Sequence, residues 1–327
     1  MPHDWRIIFS LQLVPSMHRG EVHIKPQGLK GQGLKGQGLA QRRTSLRTVA
    51  MAATAMLCFA ANSILCRLAV ASGQIDPGTF TTTRVLSAAV MLSLMVWFER
   101  GSFPSLAPTN PFSVVALFTY LVFFSFAYMR LDAGSGALIV IGATQLSMFG
   151  VAFREGERFK PVQWTGLLLA LFGFIFLVLP GATAPDPFGA LLMAIAGAAF
   201  GGFSLLARGA GHPVEANANV LLYCLLPAVV VNLFGVHEFK ITPSGLALAT
   251  ASGAIATGFG YVAWYLALRE LPAARAATAQ LSMPALVALG GITFLSEPLT
   301  GRLLIASVAI LIGIALVLGQ RVAVPAR

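Results

Sequence analysis

Residues 162–179 read VQWTGLLLALFGFIFLVL, a run of 18 residues without a charge, closed by Pro161 on one side and Pro180-Gly181 on the other. As a helix at ~1.5 Å per residue this run is about 27 Å long, which matches the ~30 Å hydrocarbon layer of a bilayer. The same texture extends both ways. Apolar runs at 48–70, 79–98, 111–129 and 133–153 precede it, and runs at 187–207, 217–235, 244–268, 272–295 and 302–319 follow. The links are short and carry helix breakers: Asp76-Pro77-Gly78, Pro104 to Pro111, Pro180-Gly181 to Pro187, His212-Pro213, Pro243 and Glu297-Pro298. The expected fold is all-α, a polytopic membrane protein of ten transmembrane helices.

Composition points the same way. Hydrophobic residues make up 57% of the chain and charged residues 10%, where a soluble domain carries about 25% charged residues to face water. Cys58, Cys66 and Cys224 all lie in apolar runs, an odd and widely spaced set that suits neither a disulfide framework nor a zinc site. No metal ligand set, catalytic residue or cofactor is expected.

Ahead of the first span, residues 27–41 read QGLKGQGLKGQGLAQ. Glycine at this density does not hold a helix and one leucine per repeat builds no core, so residues 1–47 are expected to form a basic, disordered tail. The apolar run Ile7 to Val14 is too short to span a bilayer and lacks a small-residue cleavage site, so no signal peptide is expected.

Charge sets the expected orientation. With the tail inside, cytoplasmic segments hold 17 Lys/Arg: eight in the tail plus Arg100, Arg154, Arg158, Lys160, Arg208, Arg269, Arg275, Arg321 and Arg327. The other side holds Arg67, Arg130, Lys240 and Arg302. This bias places both termini in the cytoplasm of a multi-pass cell-membrane protein, the inner membrane in a prokaryote. The net charge of +10 then reports cytoplasmic loops. It forms no basic, aromatic-interleaved surface, so nucleic acid is not an expected partner.

The chain also matches itself. A shift of 140 pairs Ala127 with Ala267, Glu157 with Glu297 and Gly173 with Gly313, and a shift of 141 pairs Ser63 with Ser204 and Arg67 with Arg208. Five spans per half is odd, so the halves, 48–180 and 181–320, are expected in opposite orientations, with 321–327 as a cytoplasmic end. Inverted repeats of this kind belong to secondary transporters, whose site lies near the midplane between the repeats. The word QLSM at 145–148 recurs at 280–283, but aligning it puts the two glutamates out of register, and it reads as coincidence.

Three segments carry a family resemblance: AANSILCRLA (60–69), AYMRLDAGSGALIVIGATQLSMFGVAFREGER (127–158) and ALRELPAARAATAQLSMPALVALGGITFLSEPL (267–299). With them the chain resembles the drug/metabolite transporter superfamily, specifically its EamA-type branch. The first half departs from the pattern at Gly-rich 134–136, where the second half has Ala-Ala-Arg. The resemblance covers roughly 48–320 and implies ten helices in two EamA repeats. It also implies transport of small organic solutes such as amino acids, as exporter or exchanger. The motifs are structural and name no substrate. Expected partners are a small organic solute and the lipid bilayer, with a homodimer left open.

Ionisable groups inside a membrane are costly, so their placement is informative. All acidic residues and all histidines lie in the tail, in links or at span ends, which leaves no mid-membrane proton relay. Arg84 is the exception, more than a turn inside its span. It is either a snorkelling arginine or a cation that receives an anionic group in a polar cavity. Asn62 and Ser63 lie at similar depth, as interhelical glue or as part of that cavity. Tyr120, Phe124, Tyr261, Trp264 and Tyr265 recur at helical spacing, as lipid-facing aromatics or a wall for substrate, and Gln145 and Gln280 carry the same two readings. Arg67 reads as interfacial, and Glu157 and Glu297 as structural residues at the positive ends of following helices. A membrane-embedded enzyme would need His, Asp, Glu or Cys clustered at one depth, and a scaffold or receptor has no use for a two-sided repeat. Both are the alternatives to transport.

Overall fold

The computed structural model describes residues 46–106, 108–156, 159–207, 212–235, 239–268, 270–271 and 279–318. The tail, Glu157, Arg208 and the start of the 272–295 run lie outside these residues. The described chain is helical: α1 (Leu46–Ala71), α2 (Pro77–Arg100), α3 (Pro111–Ala127), α4 (Ala133–Arg154), α5 (Pro161–Val178), α6 (Pro187–Leu206), α7 (Pro213–Gly235), α8 (Pro243–Leu268), α9 (Met283–Leu295, preceded by a helical turn at 279–281) and α10 (Gly301–Leu318). Within α8, Ala251–Phe259 winds as a π-helix. Among the described residues there is no β-strand, and Ile75 and Ile241 form an isolated bridge.

Four helices start on one device. Asp76, Asn110, Asp186 and Thr242 each precede a proline, and their side chains accept from the backbone N–H of Thr79, Phe112, Gly189 and Gly245 at 2.7–3.0 Å. The oxygen satisfies one of the otherwise unpaired first-turn donors, while proline at the first helical position gives up only an N–H that had no partner. α2 ends at Gly101, whose φ of 71° closes the last turn.

Seven helices, α1, α2 and α4 to α8, are long and apolar enough to cross a membrane, while Pro111–Ala127, Ala279–Leu295 and Gly301–Val317 are shorter. Large apolar side chains such as Phe172, Leu226 and Phe294 stand exposed on the outside. Water penalises such a surface and lipid does not.

Contacts between links sort the helix ends onto two faces. On the near face, where α1 begins, Arg100 pairs with Glu215, Thr48 donates to Glu270, and Gln163 Nε2 donates to the Val317 carbonyl at 3.4 Å. On the far face, Arg130 pairs with Asp186 at 3.6 Å, Arg302 donates to the Leu179 carbonyl, and Ile75 bridges Ile241. Every helix therefore runs opposite to the one before it.

The principal packing is self-matching. Exchanging each helix with the one five places on turns the α1–α8 contact into α6–α3, α2–α8 into α7–α3, and α4–α6 into α9–α1, while α2–α7, α4–α9 and α5–α10 map onto themselves. The α5–α10 pair meets at glycine. A Cβ at Gly166 would lie 2.6 Å from the Gly313 carbonyl oxygen, and one at Gly313 would lie 2.5 Å from the Gly166 oxygen.

The far face is sealed around Glu297. Its carboxylate accepts from the Ala133 N–H at 2.8 Å and from Arg67 Nε at 3.1 Å, while Arg67 also reaches the Tyr128 carbonyl at 3.0 Å and Asp132 at 3.2 Å. Glu297 thus caps α4, a helix of the other half, rather than the helix that follows it in sequence. Arg67 is more than an interfacial residue, because it ties α1 to the α3–α4 link and to the α9–α10 link. Burial raises the Glu297 carboxyl above its ordinary value, and Asp132 adds to this against the opposing Ala133 N–H and Arg67. Ser296, at φ 54°, turns the chain back so that the Glu297 N–H bonds the Gly291 carbonyl at 3.1 Å.

Candidate functional site

Between the helices lies a cavity of about 260 Å³. At ~30 Å³ per water that is room for roughly nine waters, or one small metabolite. All ten residues singled out in the sequence border it. Asn62 and Ser63 come from α1, Arg84 from α2, Tyr120 and Phe124 from α3, and Gln145 from α4. Tyr261, Trp264 and Tyr265 come from α8, and Gln280 from the turn before α9.

Arg84 does not snorkel. Its residue is 2% exposed, and its guanidinium lies 5.0 Å from the Phe124 ring centre and 5.6 Å from that of Tyr120. Each such desolvated contact is worth about 2 kcal/mol, and the two together offset part of the several kcal/mol that burying an unpaired charge costs. Polar contacts do not close the gap. Nη2 reaches the Tyr120 hydroxyl only at 3.5 Å, and Nε and Nη1 have no hydrogen-bond partner. The backbone beneath is clamped, since a Cβ at Gly253 would lie 2.3 Å from the Arg84 carbonyl oxygen. The π-helical stretch of α8 therefore presses on the segment that carries the cation, and such irregular turns are frequent at functional sites.

The rest of the wall is neutral. Asn62 Oδ1 accepts from Ser252 Oγ at 2.7 Å, so it bonds across helices and also borders the cavity. The Tyr265 hydroxyl accepts from Asn217 Nδ2 at 2.7 Å, and the Tyr261 and Tyr265 rings stack at 6.1 Å. Phe59 meets Tyr261 and Trp264 edge-on at 5.6 and 6.4 Å. Among the described residues that line the cavity, Arg84 is the one charged side chain and no Asp, Glu or His is present. Nor do three or more His, Cys, Asp or Glu side chains gather anywhere among the described residues.

Sequence reading missed Thr144, Phe200, Asn217 and Thr257, which also line the cavity. Phe200 packs on Tyr120 at 4.8 Å, and Thr144 Oγ1 donates to the Gly197 carbonyl at 2.9 Å. A signal existed for Ser204, the mate of Ser63 at the 141 shift, since both border the cavity.

The cavity is blind at one end. Its lining includes Phe203, Ser204 and Ala207 at the end of α6, Asn217 near the start of α7, Tyr265 near the end of α8 and Gln280 before α9, all toward the near face. Arg84, seven residues and so about 10 Å into α2 from the far face, sits with Phe124 at the closed end, beneath the Arg67–Glu297 seal.

A helical membrane protein with alternating helices, self-matching halves and a central cavity is the architecture of a multi-pass carrier. The chain belongs to the EamA-like transporter family, which it matches twice, over residues 46–179 and 187–319. An uncharacterized protein of Pseudomonas aeruginosa is 43% identical over 84% of this chain and 95% of its own length. The threonine/homoserine exporter RhtA of Salmonella typhimurium is 32% identical over 46% of this chain and 53% of its own. A crystal structure at 21% identity shares the fold, with a TM-score of 0.59 over 83% of this chain and 96% of that one.

Proposed function

We propose that this membrane transporter exports or exchanges small organic metabolites that carry a carboxylate, amino acids among them, through ten spans arranged as two inverted five-helix repeats, 48–180 and 181–320. The observation that carries the reading is the buried Arg84 guanidinium, with two nitrogens unpartnered at the blind end of an otherwise neutral, aromatic cavity. A bound carboxylate supplies the missing acceptors, and the planar guanidinium can grip it with two parallel hydrogen bonds. All ten residues, Arg84, Asn62, Ser63, Tyr120, Phe124, Gln145, Tyr261, Trp264, Tyr265 and Gln280, then act as the binding wall. The amino-acid exporter among the relatives supports the solute class. Counterflow in proteoliposomes against a panel of amino acids, organic acids, nucleosides and organic cations tests it. Carboxylates should exchange, and exchange confined to nucleosides or cations would overturn the reading.

The orientation has its own test. In a background without native cysteines, single cysteines at Gln74 or Ala184 should react with an impermeant thiol reagent added to intact cells. A cysteine at Phe103 should be protected until the membrane is opened. The reverse pattern would invert the topology.

A further inference from the structure

We infer that the cavity selects net monoanions: within any series of equal size, the plain carboxylic acid is preferred over the zwitterionic amino acid, and the amine is excluded. The inference rests on the reading of Arg84 as a carboxylate site and narrows it.

Charge counting carries it. Arg84 contributes one positive charge, and no described lining residue contributes a negative one. A carboxylate at Arg84 brings the loaded cavity to neutrality. A zwitterion leaves it at plus one, and an amine raises it to plus two. An uncompensated charge in a low-dielectric cavity is costly, because the site replaces its water only in part.

The wall offers an ammonium only neutral acceptors, the Gln145 and Gln280 amide oxygens and the Ser63 hydroxyl among them, and no counter-charge among the described residues. Asn62 Oδ1 is engaged by Ser252 and the Tyr265 hydroxyl by Asn217, while the Thr257 hydroxyl is turned to the Ser252 carbonyl at 2.9 Å. The rings of Phe59, Tyr261 and Trp264 could hold a cation weakly. They suit an apolar side chain better, because their contacts are edge-on and stacked packings with one another rather than a cage. The geometry therefore describes a ligand with an acid group at the blind end and an apolar body along α8.

The test is equilibrium binding to the purified full chain in detergent at pH 7, read by tryptophan fluorescence, since Trp264 stands on the wall. Two ladders serve as probes: 3-phenylpropanoate, phenylalanine and phenethylamine, and then propanoate, alanine and ethylamine. In every ladder whose acid binds, the acid should bind 10-fold or more tighter than the amino acid, with no binding by the amine. Arg84→Met should abolish binding of the acid. Amino acids binding as tightly as the acids, with Arg84→Met still abolishing both, would overturn the selection for monoanions and leave the carboxylate site standing. Binding that survives Arg84→Met, or amines that bind best, would overturn both. Absence of binding by both acids also counts against the inference, and the wild-type ladders decide even if the variant fails to fold.

Discussion

Arg84→Met should cost the transporter at least about 100-fold in kcat/KM for the proposed carboxylate substrate while leaving the folded protein as stable as wild type or more so. The two effects have one cause. The guanidinium is buried and short of hydrogen-bond partners, so replacing it with an apolar side chain of similar length removes an uncompensated charge from the core. The same change removes the charge-assisted bonds to the carboxylate, worth about 1.5–3 kcal/mol each. Arg84→Lys keeps the charge but not the fork and should fall between, roughly 10-fold down. Efflux from proteoliposomes gives the first quantity and thermal denaturation in detergent the second. An arginine that served only the fold would give the opposite pair, normal transport per folded molecule and a lower melting temperature.

Gly313→Ala should be the most damaging single methyl group on α10. Its Cβ would lie 2.5 Å from the Gly166 carbonyl oxygen and 2.6 Å from the Ala170 nitrogen. Both are backbone atoms of α5 and cannot rotate away. The helices must separate along their contact, and without water to drive apolar surfaces together, close packing is what holds such pairs. Overpacking typically costs 1–3 kcal/mol and more where nothing can yield. Gly202→Ala and Gly150→Ala are the controls, because a Cβ at either meets nothing within 4 Å. They should be neutral or stabilising, as alanine is favoured over glycine in a helix by about 1 kcal/mol. Comparable melting temperatures for Gly313→Ala and the controls would refute the close contact.

Much of this fold was legible because its signals are local. Helix ends are written in pairs such as Asp76-Pro77 and Asp186-Pro187, where one residue caps and the next cannot continue a strand of hydrogen bonds backwards. The cavity residues were legible for a different reason. In a chain so poor in polar groups, an arginine, two glutamines, an asparagine and three tyrosines inside apolar runs have few places to go except inward. What stayed hidden depends on tertiary neighbours. Nothing around Glu297 announces that it caps α4 across the molecule. The π-helical winding of Ala251–Phe259 has no sequence mark beyond small residues, and the close approach of Gly253 to α2 within it shows only in the packing. Arg84 was ambiguous from sequence alone because depth does not reveal direction; only the positions of Tyr120 and Phe124 show which way it points.

A fixed cation about 10 Å along α2 from its far-face end also gives the proposed carrier an electrical property. In a carrier whose empty cavity alternates between the two faces, the field across the membrane redistributes around Arg84, and part of an elementary charge effectively crosses it. Each full charge so moved couples to voltage by about 2.3 kcal/mol per 100 mV. With a carboxylate in place the site is neutral and the same movement carries no charge. Voltage should therefore act on the return of the empty carrier and spare the loaded step, so exchange of one substrate for another should be indifferent to membrane potential while net efflux is not.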